Sequence, residues 1–133
     1  MTSQLNVDTI VDKAGSGGTN VKVANTSTYV SDGGAVTQNT VQGLAKFWCH
    51  TTTSTSVDSF NQGSITDSAT GNYVHNFTNN MSNDAYAGGT VGTAGDHVTS
   101  GTHSTSAVNF QHFNQSNSSV DCDTDQTVHG DLA

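Results

Sequence analysis

The chain has 133 residues and a formal net charge of −8, carried by 11 Asp against 3 Lys, with no Glu and no Arg. Phosphate backbones and anionic membrane surfaces require clustered Lys and Arg, so this balance argues against binding to nucleic acid or to a charged membrane. The sequence has no run of about 18 apolar residues that could span a bilayer, and its first residues lack the basic and apolar regions of a signal peptide.

Large apolar residues are scarce: 14 Val, 3 Leu, 2 Ile and 5 Phe make 24 of the 133 residues, or about 18%. Chains below about 20% are usually disordered when their net charge is also high. Here only 11% of the residues are charged. We therefore expect a folded chain with a small core of its own, in which partner chains supply the missing burial, as in obligate oligomers.

The N-terminal third predicts two short strands separated by turns. The segment LNVDTIV alternates, with Leu5 and Val7 on one side and Ile10 on the other. The segment NVKVAN predicts a second strand, and GSGG and SDGGA predict turns.

A helical stripe follows. Val41, Leu44, Ala45 and Trp48 have the spacing i, i+3, i+4 and i+7, which predicts one to three turns of helix over about residues 39–46. A strand through KFWCHTT is expected to follow it.

The rest of the chain predicts β structure. YVHNFT, SAVNFQHFN and SVDCDTDQTV alternate between apolar and polar positions, and clusters of Gly, Asn, Asp and Ser separate them. Such a pattern is typical of an all-β sandwich. Residues 87–106 are small and polar apart from Val91 and Val98, and they predict a long surface loop. Cys49 and Cys122 are expected to be buried free thiols. A disulfide between them is the alternative that the sequence leaves open.

Four blocks of the sequence resemble small virion proteins of marine tailed bacteriophages. The blocks are LNVDTIVDKAGSGGTNVKV, GGAVTQNTVQGLAKFW, DSFNQGSITDSATGNYVHNFTNNM and a final VHGD. QGLAKFW and ITDSATGNYVHNFTNNM are the sharpest matches, whereas residues 83–111 match least. The similar proteins are fibre or spike proteins, and comparable blocks occur at the ends of longer tail fibres.

The resemblance implies a homotrimer that packs around a three-fold axis. The expected fold is all-β: a trimeric antiparallel β-sandwich knob with a short helix and an extended N-terminal docking segment. The docking segment covers residues 1–36 and the knob residues 37–133. We expect docking contacts from Leu5, Val7 and Ile10, and a trimer core that contains Leu44 and Trp48.

The implied function is structural: a fibre or tail-tip protein of a tailed phage, assembled in the host cytoplasm, that contributes to host-surface attachment. One alternative is a capsid-bound head fibre or decoration protein. A free glycan-binding module is an alternative of another class. Expected partners are further copies of the chain, other virion proteins at the N-terminus, and a host-surface glycan or protein. We expect no cofactor.

The histidines and a run of Asp residues raise the question of a metal site. His75 and His112 lie on predicted apolar strand faces, and imidazole suits zinc, nickel, copper or iron. Asp121, Asp123 and Asp125 share one predicted strand face, but the Gly and the final Glu of an EF-hand are absent. We expect hydrogen-bonded histidines, solvated carboxylates and no metal.

The sequence also bears on catalytic and sugar-binding sites. No GxSxG segment is present, and Ser, His and Asp are too common for a chance triad to be informative, so we expect no enzyme. Aromatic residues among Asn, Ser and Gly suit sugar contact, which makes Tyr86, His97 and His103 candidate receptor contacts. Alternatively, Tyr86 and Phe110 are core residues.

Overall fold

The computed structural model describes residues 27–30, 37–40, 43–92 and 96–133. Over these residues it contains ten strands and no helix. Tertiary contacts divide the chain into two units, Met1–Val41 and Gln42–Ala133.

The described part of the first unit is a two-stranded hairpin. β1 (Thr28–Val30) pairs antiparallel with β2 (Thr37–Asn39). Just outside the pair, the backbone N–H of Thr40 donates to the carbonyl oxygen of Ser27 at 2.9 Å.

Several expectations for the N-terminal third concern residues outside those described. They are the strands LNVDTIV and NVKVAN, the two turns, and the docking residues Leu5, Val7 and Ile10. Docking through this segment therefore stays a prediction.

The second unit folds into two four-stranded antiparallel sheets. The first sheet has the strand order β4-β3-β10-β7, and the second sheet has the order β5-β6-β9-β8. Their strands are β3 (Ala45–Thr52), β4 (Thr55–Phe60), β5 (Gln62–Ala69), β6 (Asn72–Phe77), β7 (Ala87–Gly92), β8 (His97–His103), β9 (Ala107–Phe113) and β10 (Thr124–His129). The expected all-β, antiparallel, sandwich-like fold is confirmed.

The inner faces of the two sheets pack against each other and form the core. The Phe47 ring of β3 contacts the rings of His75 and Phe77 in β6 edge-to-face, with centroids 5.7 and 5.4 Å apart. The largest cluster of buried side chains contains Phe47, Cys49, Phe77, Met81, Tyr86, Val108, Phe110 and Val128. Alternation in the sequence predicted the inward residues of β6 and β9, all of which are buried: Tyr73, His75, Phe77, Val108, Phe110 and His112.

Both cysteines are buried, as expected, and neither forms a disulfide. Cys49 lies in β3 within the main cluster. Cys122 precedes β10, whose first residue is Thr124, so the predicted strand SVDCDTDQTV is regular only in its second half.

The helix predicted over residues 39–46 is wrong. β2 ends and β3 begins within this span, and none of its described residues is helical. The residues from Ala45 onward also alternate, with Phe47, Cys49 and Thr51 buried against the second sheet. Aromatic and β-branched side chains favour a pleated strand of this kind, whereas a helix of one to three turns has little stability before tertiary packing.

The surface loop predicted over residues 87–106 is also wrong, because most of this segment forms β7 and β8. Each is an edge strand, β7 against β10 and β8 against β9. Gly88 is exposed, although it pairs with the buried Val128, and a Cβ there would make only ordinary contacts with the Phe110 ring at 3.8 Å and with Val128 at 3.9 Å. The inward positions of β7 thus carry only small side chains. An edge strand of Gly, Ser and Thr has no apolar alternation by which to identify it.

The chain crosses from the first sheet to the second at Asn61, the single residue between β4 and β5. Its φ of 62° is in the left-handed region, which Asn tolerates better than most residues. Its Nδ2 donates to the carbonyl oxygens of Lys46 and Asn79 at 3.0 Å each, and its Oδ1 accepts from the Asn79 N–H at 2.6 Å. One side chain therefore ties together three segments of the chain.

Candidate functional site

The outer face of the first sheet carries an exposed aromatic pair. Trp48 of β3 is directly opposite Phe60 of β4 in the strand register, so both side chains project from the same face. Trp48 is 39% exposed and Phe60 48% exposed. The same row continues through Thr127 of β10 to Gly89 of β7.

The neighbouring row of this face is polar at its centre. It runs from Asp58 through His50 and Asp125 to Val91. His50 Nδ1 lies 2.7 Å from Asp125 Oδ1, and both side chains are exposed. An exposed pair of this kind contributes little stability, so we interpret it as a polar border of the aromatic pair.

Exposed large hydrophobic side chains of the second unit concentrate on the first sheet. Among its described residues they are Leu44, Trp48, Val57, Phe60 and Val91. Leu44 directly precedes β3, and the others lie in β3, β4 and β7. We name this set of five side chains the apolar face.

Leu44 and Trp48, the predicted trimer core, are thus exposed in the single chain, at 60% and 39%. Trp48 lies in the middle of β3, and the described residues include no helix for it to pack against. A role for either residue between subunits stays a prediction.

The outer face of the second sheet is polar and has no charged side chain at its centre. Asn76 Nδ2 donates to Ser64 Oγ at 3.1 Å and to Thr66 Oγ1 at 3.2 Å. Asn109 Nδ2 donates to Asn72 Oδ1 at 2.5 Å and to the Tyr73 carbonyl oxygen at 3.2 Å. Cross-strand amides and hydroxyls therefore form a ladder over β5, β6 and β9.

A groove of about 330 Å³ runs over this ladder. We name it the amide groove. Its lining is entirely uncharged: Ser68, Asn72, Val74, Thr102, Ser104, Ala107, Asn109 and Gln111.

The three predicted receptor contacts do not form one site. Tyr86 is buried, and its hydroxyl donates to the carbonyl oxygens of Ala107 at 2.8 Å and Ser104 at 3.1 Å. Its ring stacks on His103, with centroids 4.6 Å apart. His97 and His103 lie at opposite ends of β8, about 20 Å apart along an extended strand. The ring of His97 stacks on Phe113. The alternative that Tyr86 and Phe110 are core residues is therefore confirmed.

A second polar cluster surrounds Asp121 at the end of the second sheet. Asp121 Oδ1 accepts from the Tyr73 hydroxyl at 2.5 Å and from the Gly71 N–H at 2.7 Å. These two bonds, the Tyr73 bond first, lower the pKa of the Asp121 carboxyl. Gly71 has a φ of 66°, and a Cβ there would lie 2.6 Å from the His112 carbonyl oxygen. The position therefore requires glycine.

His112 and Cys122 lie beside this cluster, with Nδ1 and Sγ 3.6 Å apart. Burial lowers the pKa of His112 and raises the pKa of the Cys122 thiol. Both effects favour the neutral forms. A nucleophilic cysteine requires the opposite shifts, towards thiolate and imidazolium, so this pair is suited to packing.

Each of the three carboxylates in the DCDTD segment has partners of its own. Asp121 accepts from Tyr73, Asp123 from the Thr53 N–H at 3.1 Å, and Asp125 contacts His50. Within residues 27–30, 37–40, 43–92 and 96–133, no three His, Cys or Asp side chains lie close enough to hold a metal ion. Nor do these residues include a helix of the length and hydropathy needed to cross a membrane.

Comparisons with known proteins give no relative: no family model, no curated protein and no solved structure matches the chain.

Sequence reasoning missed Phe60 and the amide groove. Phe60 could have been found from the pairing of TSVDSF with KFWCHTT across the short TS turn, since both segments are rich in strand-forming residues. The amide groove could not have been found from the sequence, because it requires β6 and β9 to be neighbours in the sheet although about 30 residues separate them in the chain.

Proposed function

We propose that the chain is a structural subunit of a tailed-phage virion, a small fibre or tail-tip protein that forms homotrimers and contributes to attachment at the host surface. The observation that carries the proposal is the apolar face of the first sheet, in a chain with so few large apolar residues. Exposed large apolar side chains concentrated on one sheet favour an interaction surface. We propose that further copies of the chain cover it, arranged cyclically about a three-fold axis.

Burial of Trp48 and Phe60 alone gives too little free energy to hold three chains together. Burying the exposed parts of Trp48 and Phe60 contributes about 1 kcal/mol for each side chain. Three subunits therefore gain roughly 6 kcal/mol, which only reaches the low end of the cost of one association step, about 4–15 kcal/mol. Leu44, Val57 and Val91 must contribute as well, so we expect an interface that extends across the whole sheet.

Light scattering on the purified chain tests the assembly. We expect a mass about three times the 13.7 kDa of one chain. The double variant Trp48→Ser/Phe60→Ser should give a folded monomer, because it removes the centre of the apolar face. Thr66→Ala, on the outer face of the second sheet, is the control and should keep the trimer mass. A wild-type monomer at micromolar concentration would contradict the proposal.

The virion assignment has its own test. Particles purified from the encoding phage should contain the chain, and its absence would contradict the assignment. A cryo-EM map of intact particles then distinguishes a tail position from a head fibre or decoration protein on the capsid.

A second candidate function, a free glycan-binding module, is favoured by the amide groove. It requires sugar binding by a protein that is monomeric and absent from particles, so the two measurements above separate it from the first.

A further inference from the structure

The amide groove has the chemistry of a binding site for an uncharged, hydroxyl-rich ligand. Its floor is the outer face of β6 and β9, where Val74 is directly opposite Asn109 and Asn72 is directly opposite Gln111. The amides of Asn72 and Gln111 can both donate and accept hydrogen bonds, whereas Asn109 offers a ligand only its Oδ1 acceptor, because both of its N–H groups are already bonded within the protein. Val74 adds a small apolar surface between them.

The Asn109 side chain is held in place from two sides. Its Nδ2 bonds to Asn72 Oδ1 and to the Tyr73 carbonyl oxygen. Its Oδ1 lies over Gly101 of β8, at a position where a Cβ would overlap it. Since both the bonds and the neighbouring backbone fix this amide before any ligand arrives, less conformational entropy is lost on binding.

Other polar groups of the groove remain available to a ligand. Among the described residues, no hydrogen bond engages the side-chain amide of Gln111 or the hydroxyl of Thr102. Ser104, by contrast, bonds its Oγ to the backbone of Ala107. The groove thus combines fixed and free polar groups along one wall.

The lining also selects against charge. The chain has a net charge of −8, yet no ionisable side chain lines the groove. A phosphate or sulfate group would find no cation there, and an ammonium group would find no carboxylate. Ligands with many neutral hydroxyl groups match amides and hydroxyls, each of which can exchange its bonds to water for bonds to the ligand.

We propose that the amide groove binds a neutral saccharide, with Asn72, Asn109 and Gln111 as its hydrogen-bonding residues and Val74 against the apolar face of a sugar ring. The groove lies within one chain, so this inference does not depend on the proposed trimer. The volume of about 330 Å³ is at the small end of ligand sites, which suits one or two sugar rings. No aromatic side chain lines it, so affinity per site is low, with a dissociation constant on the order of millimolar. In the proposed oligomer, several copies would strengthen binding by avidity.

A titration followed by amide NMR tests this. The probes are neutral oligosaccharides of glucose, of galactose and of N-acetylglucosamine, with a sulfated oligosaccharide for comparison. We expect at least one neutral probe to shift amide signals of β6, β9 and the facing part of β8, and the sulfated probe to shift none of them. Asn109→Ala and Gln111→Ala should each weaken binding roughly tenfold, or about 1.4 kcal/mol.

Two further variants locate the site. Gly101→Ala places a methyl group where Asn109 Oδ1 lies and therefore displaces the Asn109 amide, so it should weaken binding as Asn109→Ala does. Gln111→Ala lies on the outer face, and its unchanged melting temperature would show that loss of binding is local. Trp48→Ala should bind as the wild type does. Shifts centred on Trp48 and Phe60, a stronger response to the sulfated probe, or no shift with any probe would each overturn the proposal.

Discussion

His75 shows how one buried residue makes the stability of the fold depend on pH. It lies between Phe47 and Phe110 in the core, and its Nδ1 is 2.9 Å from Gln62 Oε1. Burial, and next the charge on His112, lower its pKa from 6.5 to about 4. The folded protein therefore keeps this ring neutral at a pH where the unfolded chain would protonate it.

Acidification should destabilise the protein between about pH 6.5 and about pH 4. In this window the unfolded state binds more protons than the folded state, so the free energy of unfolding falls as pH falls. The shift at His75 corresponds to about 3 kcal/mol, and the lowered pKa of His112 acts in the same direction. Urea unfolding at a series of pH values measures the slope of the unfolding free energy against pH.

The matched variants for this slope are His75→Gln and His129→Gln. His75→Gln should flatten the slope, because it removes the titrating ring. His129 is exposed at the end of β10, so His129→Gln makes the same change of residue type outside the core and serves as the control. An equal slope in all three proteins would contradict the assignment.

Asn61 gives a second prediction at the scale of one residue. Asn61→Ala loses three hydrogen bonds to Lys46 and Asn79 and places alanine at a φ of 62°. We expect a loss of about 2–4 kcal/mol in the free energy of unfolding. Asn61→Gly loses the same bonds but adopts this φ freely, so it should be less destabilised by about 1 kcal/mol. Equal losses in the two variants would mean that backbone strain contributes nothing.

At the scale of elements, the accuracy of sequence-based prediction follows the burial of each strand. β6 and β9 lie in the middle of the second sheet, and their alternation shows directly in YVHNFT and SAVNFQHFN. β7 and β8 lie at edges, where small side chains suffice, so their sequences resemble a loop. The sequence at the start of β3 fits both a helical spacing and a strand alternation, and only packing against the second sheet selects the strand. Bonds such as Tyr73 to Asp121 join residues 48 apart in the chain, and no local pattern predicts them.

Two glycines in β7 test the correction of the predicted loop. Gly92→Val should destabilise the fold by about 1–3 kcal/mol, because a Cβ there would lie 2.8 Å from the carbonyl oxygen of Asp96, the residue before β8. Gly89→Val points outward, and a Cβ there would meet only Thr127 Cγ2 at 3.5 Å. It should be neutral or slightly stabilising, since valine favours strands. Equal and small effects in urea unfolding would instead indicate a loop.

At the scale of the whole molecule, the sandwich has a core of its own. The main cluster of buried side chains among the described residues lies within Gln42–Ala133. Its two outer faces differ, with the apolar face on the first sheet and the amide groove on the second. That difference is consistent with one face for assembly and another for contact with a ligand.

A fragment of residues 42–133 should therefore fold without the first unit. We expect a cooperative thermal transition and the same β-type circular dichroism spectrum as the full chain. A fragment that is unfolded at every concentration would show that the first unit is required for the core.

Under the proposed virion function, deletion of residues 1–22 should leave a soluble assembly that no longer incorporates into particles.

The register of β3 and β10 bears on how the sandwich carries mechanical load. These strands are central neighbours in the first sheet, and Ala45 at the start of β3 is opposite His129 at the end of β10. A force that pulls apart the two chain ends of the sandwich, which leave β3 and β10 side by side at Ala45 and His129, would unzip this pair, breaking its hydrogen bonds one after another, which offers little resistance. A force that enters at one end and leaves through a sheet face would load many bonds in parallel. In the proposed attachment role, this unit would withstand tension best when it is tethered by a single terminus.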